Sequence, residues 1–188
     1  MRRVNATISL VFIIVLTLCA GAQNLPRKIR GYTVYDAHIT VNNKPVSEIG
    51  VDSDAVVSLG EPRIADVSIS GITFEIEAEI KAADQSGTVD FLSFHDFRIN
   101  GIPVTVNEYR EMFAFKKHTS VKLPKPASVF LPTTQIVNAA LKEMRESKKE
   151  WTITGRVFVF GKFRKFGFNR KRVVPILINL TIPNPLIL

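Results

Sequence analysis

Apolar and polar residues alternate with a period of two along Ile72–Ile80, where Ile72, Phe74, Ile76, Ala78 and Ile80 interleave with Thr73, Glu75, Glu77 and Glu79. That period places the apolar set on one face of a strand and the carboxylates on the other. An antiparallel sheet with one dry and one wet side accommodates it. Phe91–Ile99 is rich in aromatic and branched residues, Asn100-Gly101 follows, and Ile102–Val106 resumes the pattern. Asn-Gly supplies two residues that accept positive φ, as a type I′ hairpin requires. Upstream, Tyr32–Val41 alternates with Tyr35, Ala37, Ile39 and Val41 on one face, and Ala55–Leu59 and Arg63–Ile69 read as shorter strands. Downstream, Glu108–Lys117 reads as a continuation strand carrying Met112, Phe113 and Phe115. Trp151–Phe160 and Val173–Ile182 are the most strand-like segments of the chain.

Two stretches depart from this period. Val121–Leu131, with Pro124, Pro126 and the following Pro132, is predicted as an edge or irregular extended segment at the perimeter of the sheet, because proline cannot donate to a ladder from both sides. From Thr133 onward Ile136, Val137, Ala140, Leu141 and Met144 recur at helical spacing, with Lys142, Glu143, Arg145, Glu146 and Lys148 facing away. One amphipathic helix over about residues 133–147 follows, with Thr133 as its cap and its apolar stripe covering the sheet. Many short strands and a single helix predict a mainly β protein: an antiparallel β-sandwich of immunoglobulin or fibronectin type III style, with a closed barrel as the structural alternative.

The N-terminus changes what the mature chain contains. Arg2 and Arg3 precede the apolar run Ile8–Leu18 and the small-residue site Ala20-Gly21-Ala22, the pattern of a secretory signal. The run is too short to span a bilayer comfortably. Export with cleavage near Ala22 is therefore expected, giving a periplasmic or secreted protein; an uncleaved segment would anchor it to the membrane. Residues 1–22 are read as signal, 23–62 as a tether and β-rich extension, and 63–185 as the sandwich. Cleavage removes the only cysteine, Cys19, so the exported domain must rest on a packed core instead of disulfides. The whole chain carries a formal charge of +8, and loss of Arg2 and Arg3 leaves 23 basic against 17 acidic residues. That balance favours acidic partners, an anionic membrane surface or an acidic polymer.

The order of these parts is familiar. DVSISGITFEIEAEI, a hairpin ending in RINGIPV, KLPKPASVFLP, a helix, WTITGRVFV and a closing strand together resemble the late embryogenesis abundant (LEA) type 2 domain, also called the water stress and hypersensitive response domain. The resemblance spans roughly Ile64–Ile182 and includes the Asn100-Gly101 turn and Gly155. Where members of that family carry Asn-Pro-Asn after the opening strand, this chain has Ala82-Ala83-Asp84-Gln85. What the resemblance implies is a noncatalytic sandwich associated with stress or desiccation tolerance.

The sharpest charged feature is GKFRKFGFNRKR, residues 161–172, where Lys162, Arg164, Lys165, Arg170, Lys171 and Arg172 interleave with Phe163, Phe166 and Phe168. Cations at a hairpin tip neutralise phosphates or carboxylates while aromatic rings sink among head groups or stack. The plainer account packs the phenylalanines inward and leaves the cations to solvate an edge. Export argues against nucleic acid as the partner. Glu75, Glu77 and Glu79 share a strand face without the ligand spacing of a calcium loop. His38, His95 and His118 form no metal-binding spacing, and no G-x-S-x-G elbow or phosphate-cradling glycine loop is present. The sequence therefore points to no enzyme, no cofactor, no metal and no small-molecule substrate.

Overall fold

The computed structural model describes residues 25–43, 53–145, 148–165 and 168–184. Residues 1–22, where a secretory signal is predicted, and Phe166 lie outside the described residues. Among the described residues fifteen strands and one helix follow in order: β1 (Lys28–Ile29), β2 (Tyr32–Val34), β3 (Ile39–Asn42), β4 (Ala55–Leu59), β5 (Arg63–Ser68), β6 (Gly71–Ile76), β7 (Ala78–Ala82), β8 (Ser86–Ile99), β9 (Ile102–Pro103), β10 (Thr105–Val106), β11 (Phe113–Phe115), β12 (Ser120–Lys122), β13 (Ala127–Pro132), α1 (Thr133–Arg145), β14 (Glu150–Lys165) and β15 (Phe168–Pro183).

The largest sheet has the order β1-β2-β15-β14-β8-β11, with β9 paired to β8. Packed against it is the four-stranded sheet β12-β7-β4-β3, and a further four-stranded sheet has the order β10-β13-β6-β5. The two smaller sheets are joined by chain continuity, because β4 leads into β5 at Gly60, β6 into β7 at Glu77 and β12 into β13 at residues 123–126. The alternating strand predicted over Ile72–Ile80 is thus split at Glu77, whose carbonyl accepts the Gly60 amide across the bend at 2.8 Å. This is the two-layered, mainly β architecture that the periodicity predicts.

The interior between the layers is filled by apolar side chains from both. Val89, Leu92, Val157, Phe163, Val174, Ile176, Ile178 and Leu180 of the large sheet meet Ala55, Ala82 and the half-buried Ile80, Val121 and Leu123. Tyr35, Ala37, Ile39 and Val41 join the same cluster, so the predicted apolar face of 32–41 is the one that packs, although 35–38 lie between strands. Asn100 and Gly101 both have positive φ, 49° and 79°, which closes β8 onto β9 in the primed turn that the Asn-Gly pair predicts. Pro175 is accommodated in β15 because there only β14 pairs with it; β2 reaches β15 only at Arg172 and Val173.

Three local expectations are revised. Pro124 and Pro126 fall in the link between β12 and β13, and only β12 lies at the perimeter, since β13 is flanked by both β6 and β10. Between Tyr109 and Lys117 the continuous strand is reduced to β11 and two isolated bridges, Tyr109 to Leu92 and Lys117 to Ala82. The helix packs on β13, β6 and β9, yet Val137, Leu141 and Met144 stay exposed, the last at 85%. Its cap is also different: the Thr133 hydroxyl donates to the carbonyl of Ile69 and the Thr133 amide to that of Ser70. The helix is thereby pinned to the turn between β5 and β6.

Candidate functional site

The basic stretch 161–172 lies at the end of the longest hairpin, where β14 and β15 pair continuously from Glu150 with Pro183 to Lys165 with Phe168. Residues directly opposite in an antiparallel pair share a face, and i, i+2 neighbours do as well. Phe163, opposite Arg170, is 6% exposed and packs inward against Phe115 at 5.9 Å between ring centroids. The inner face of the hairpin therefore carries Phe163, Arg170, Arg172 and Phe168. Arg172 is half-buried, with its guanidinium 4.2 Å from the centroid of Tyr35, a cation–π contact. Phe168 is 71% exposed, because the Lys165–Phe168 pair lies beyond Ser86, the first residue of β8.

The outer face carries the opposite set. Lys162 stands directly across from Lys171 on one side and Thr88 on the other; Arg164 stands between Asn169 and Ser86. Lys162, Arg164, Asn169 and Lys171 are exposed. The nine residues singled out by sequence are thus not one patch. Lys162, Arg164 and Lys171 share one face, Phe163, Phe168, Arg170 and Arg172 the other, and Phe166 and the Lys165 side chain are not described.

Immediately along the outer face the hairpin is covered. Phe91 and Phe160 stack at 4.3 Å, and Tyr32 meets both edge-on at 6.1 and 5.2 Å. Leu25, Ile29 and Val34 complete this second cluster with Phe158 and Val173. Arg30 lies over both phenylalanine rings and forms an ion pair with Glu108. The Glu108 carboxyl is held below its ordinary range, chiefly by the Arg30 hydrogen bond, opposed by burial and helped by Arg110. Burial pushes the Tyr32 phenol up, assisted by its hydrogen bond to Asp90. Lys171 extends to 5.9 Å from the Tyr32 ring. The arm 25–34 thus ends its cover where the exposed cations begin.

A second feature was not legible in the sequence. His38, Ser53, Asp54, Lys81, Ala83, Asp84 and His118 line an open recess of about 580 Å³. Residues remote in sequence meet there because β3 and β4 pair in parallel, so that Asp54 bonds His38 through both its amide and its carboxylate. The His118 amide is tied to the Ala82 carbonyl. Among the described residues no three of His, Cys, Asp and Glu are grouped as metal ligands. Glu75 falls in β6 and Glu79 in β7, which belong to different sheets, with Glu77 at the bend between them; Arg63 lies 3.7 Å from Glu77 and Lys122 is in register with Glu79.

No family model matches this chain, and no curated protein does. Among solved structures, the chain is similar to a protein from Archaeoglobus fulgidus, at 14% identity and a TM-score of 0.40 over 69% of this chain and 98% of that one. It is also similar to the solution structure of a candidate late embryogenesis abundant (LEA) protein, at 8% identity and a TM-score of 0.32 over 70% of this chain and 72% of that one. Likenesses this distant carry no argument about function, which rests on the site.

Proposed function

We propose that the protein is an exported, noncatalytic binding module that docks on an anionic surface through the end of its long hairpin. One observation carries this reading: Lys162, Arg164, Arg170 and Lys171 are all exposed at the end where Phe168 is 71% exposed. Cations held on a rigid two-stranded ribbon lose less conformational freedom on binding than cations on a loop. The Arg2-Arg3, Ile8–Leu18 and Ala20–Ala22 pattern supports export. The test is binding to vesicles and anionic polymers across a salt series. Affinity that falls steeply with ionic strength supports the reading, and retention of full affinity after Lys162, Arg164, Arg170 and Lys171 are changed to glutamine removes it.

A second reading is the stress protectant that the LEA type 2 resemblance implies. It is favoured by the placement of a single helix between β13 and the closing hairpin, the order in which the resemblance puts these parts. Here the measurement is the activity of a reporter enzyme recovered after drying. Recovery no better than with an inert globular protein at equal mass rejects it.

A further inference from the structure

We infer that the outer face of the hairpin end is a binding surface for an acidic polysaccharide, built from Ser86, Thr88, Lys162, Arg164, Asn169 and Lys171. The inference rests on the anion-docking reading above and narrows it to one face and one class of partner. Two rows cross three adjacent strands: Thr88, Lys162 and Lys171, then Ser86, Arg164 and Asn169. With neighbouring strands about 4.8 Å apart and i, i+2 residues about 7 Å apart, the rows span roughly 10 by 7 Å at the backbone.

The arrangement runs against the sheet's own stability. Lys162 and Lys171 are directly opposite, and like charges in that position repel. None of the ion pairs among the described residues uses Lys162, Arg164 or Lys171. The nearby carboxylate Asp90 accepts the Tyr32 hydroxyl, and Lys171 is directed at the Tyr32 ring. An external anion is the partner that relieves the repulsion.

The chemistry of the rows selects the kind of anion. One row joins two cations to a threonine hydroxyl, and the other joins one cation to a serine hydroxyl and an asparagine amide. A polysaccharide presents carboxylates or sulfates together with hydroxyls along one chain, and both sets find counterparts here. Docking into a bilayer calls for apolar side chains between the cations, and these six positions hold none. Phe168 shares its face with Arg170, on the other side of the ribbon. Arg170 and Arg172, on that other face, therefore lie outside the surface.

The experiment titrates the full chain with polygalacturonate, neutral dextran, and vesicles of phosphatidylglycerol and phosphatidylcholine. Wild type is compared with an outer-face variant (Lys162→Gln, Arg164→Gln, Lys171→Gln) and an inner-face variant (Arg170→Gln, Arg172→Gln). Polygalacturonate is expected to bind in preference to dextran and vesicles, with a shallower salt dependence and at least tenfold weaker binding for the outer-face variant alone. Its melting temperature should be unchanged or raised, since repulsion is removed, which separates lost contacts from lost folding. Equal losses in both variants, or a loss confined to the inner-face variant, overturn the inference while anion docking stands. Preference for vesicles overturns the polysaccharide assignment. Failure of wild type to bind any of the anionic probes overturns both.

Discussion

Tyr32 donates a hydrogen bond from its hydroxyl to Asp90 Oδ2 at 2.9 Å, joining the N-terminal arm to the middle of the large sheet. The same ring rests edge-on against Phe91 and Phe160, so one residue ties the arm down by both packing and polarity. Tyr32→Phe keeps the ring and is expected to cost about 1 kcal/mol, the net worth of a hydrogen bond. Tyr32→Ala opens the cluster and should cost roughly 2–4 kcal/mol. Chemical denaturation of the two variants measures the difference. In an ultraviolet titration, Tyr32→Phe should also lose a phenol that ionises late, because burial and Asp90 both favour the neutral form.

Two glycines of β14 face different neighbours, and the difference sets an order. A Cβ on Gly161 would stand 2.4 Å from the carbonyl oxygen of Thr88, whereas one on Gly155 would meet the ring of Phe97 at 2.7 Å. A half-buried ring can turn away; a ladder carbonyl cannot without parting β14 from β8. Gly161→Ala is therefore expected to destabilise by more than 2 kcal/mol, about the upper range of overpacking. Gly155→Ala should cost about 1 kcal/mol, with Phe97 displaced. Thermal melts of both variants rank them, and equal costs would contradict the argument.

The Arg30–Glu108 ion pair gives the arm a pH dependence. Because the folded-state Glu108 value is depressed, its contribution is present above the ordinary carboxylate value of 4.5 and is lost as pH falls through the lower folded value. Melting temperature should fall with acidification in that window, and Glu108→Gln should flatten its share of the fall. Proteolysis at Arg27 or Lys28 should be faster for this variant than for wild type at neutral pH and should converge with it in acid.

Thr133 holds the start of α1 to the turn ahead of β6 by two bonds, one from its side chain. Thr133→Val removes the side-chain bond while keeping the shape. A loss of about 1 kcal/mol in local stability is expected, read as faster hydrogen exchange within 133–145 and unchanged exchange in β14 and β15. A Thr133→Ser variant should restore protection. Equal acceleration throughout the domain would show that the helix is not an independent opening unit.

By itself the sequence determined which faces of the strands are apolar, where the Asn100-Gly101 turn reverses the chain, and that one helix interrupts the sheets. These follow from side-chain period and from the φ values a residue tolerates, both set by near neighbours. Alternation within 161–172 already separates Phe163 from Lys162 and Arg164. It does not reveal that Ser86 and Thr88 extend their rows, because the register between β8 and β14 is fixed by packing and by the irregularity at Phe160 and Gly161. Tertiary structure alone decided that Ile72–Ile80 bends at Glu77, that the arm 25–34 latches onto an aromatic cluster, and that Val137, Leu141 and Met144 stay uncovered. It likewise brought His38 and His118 to one recess. The physical reason is the same in each case: a one-dimensional pattern says which surface seeks cover, and only the arrangement of distant strands determines what is there to cover it.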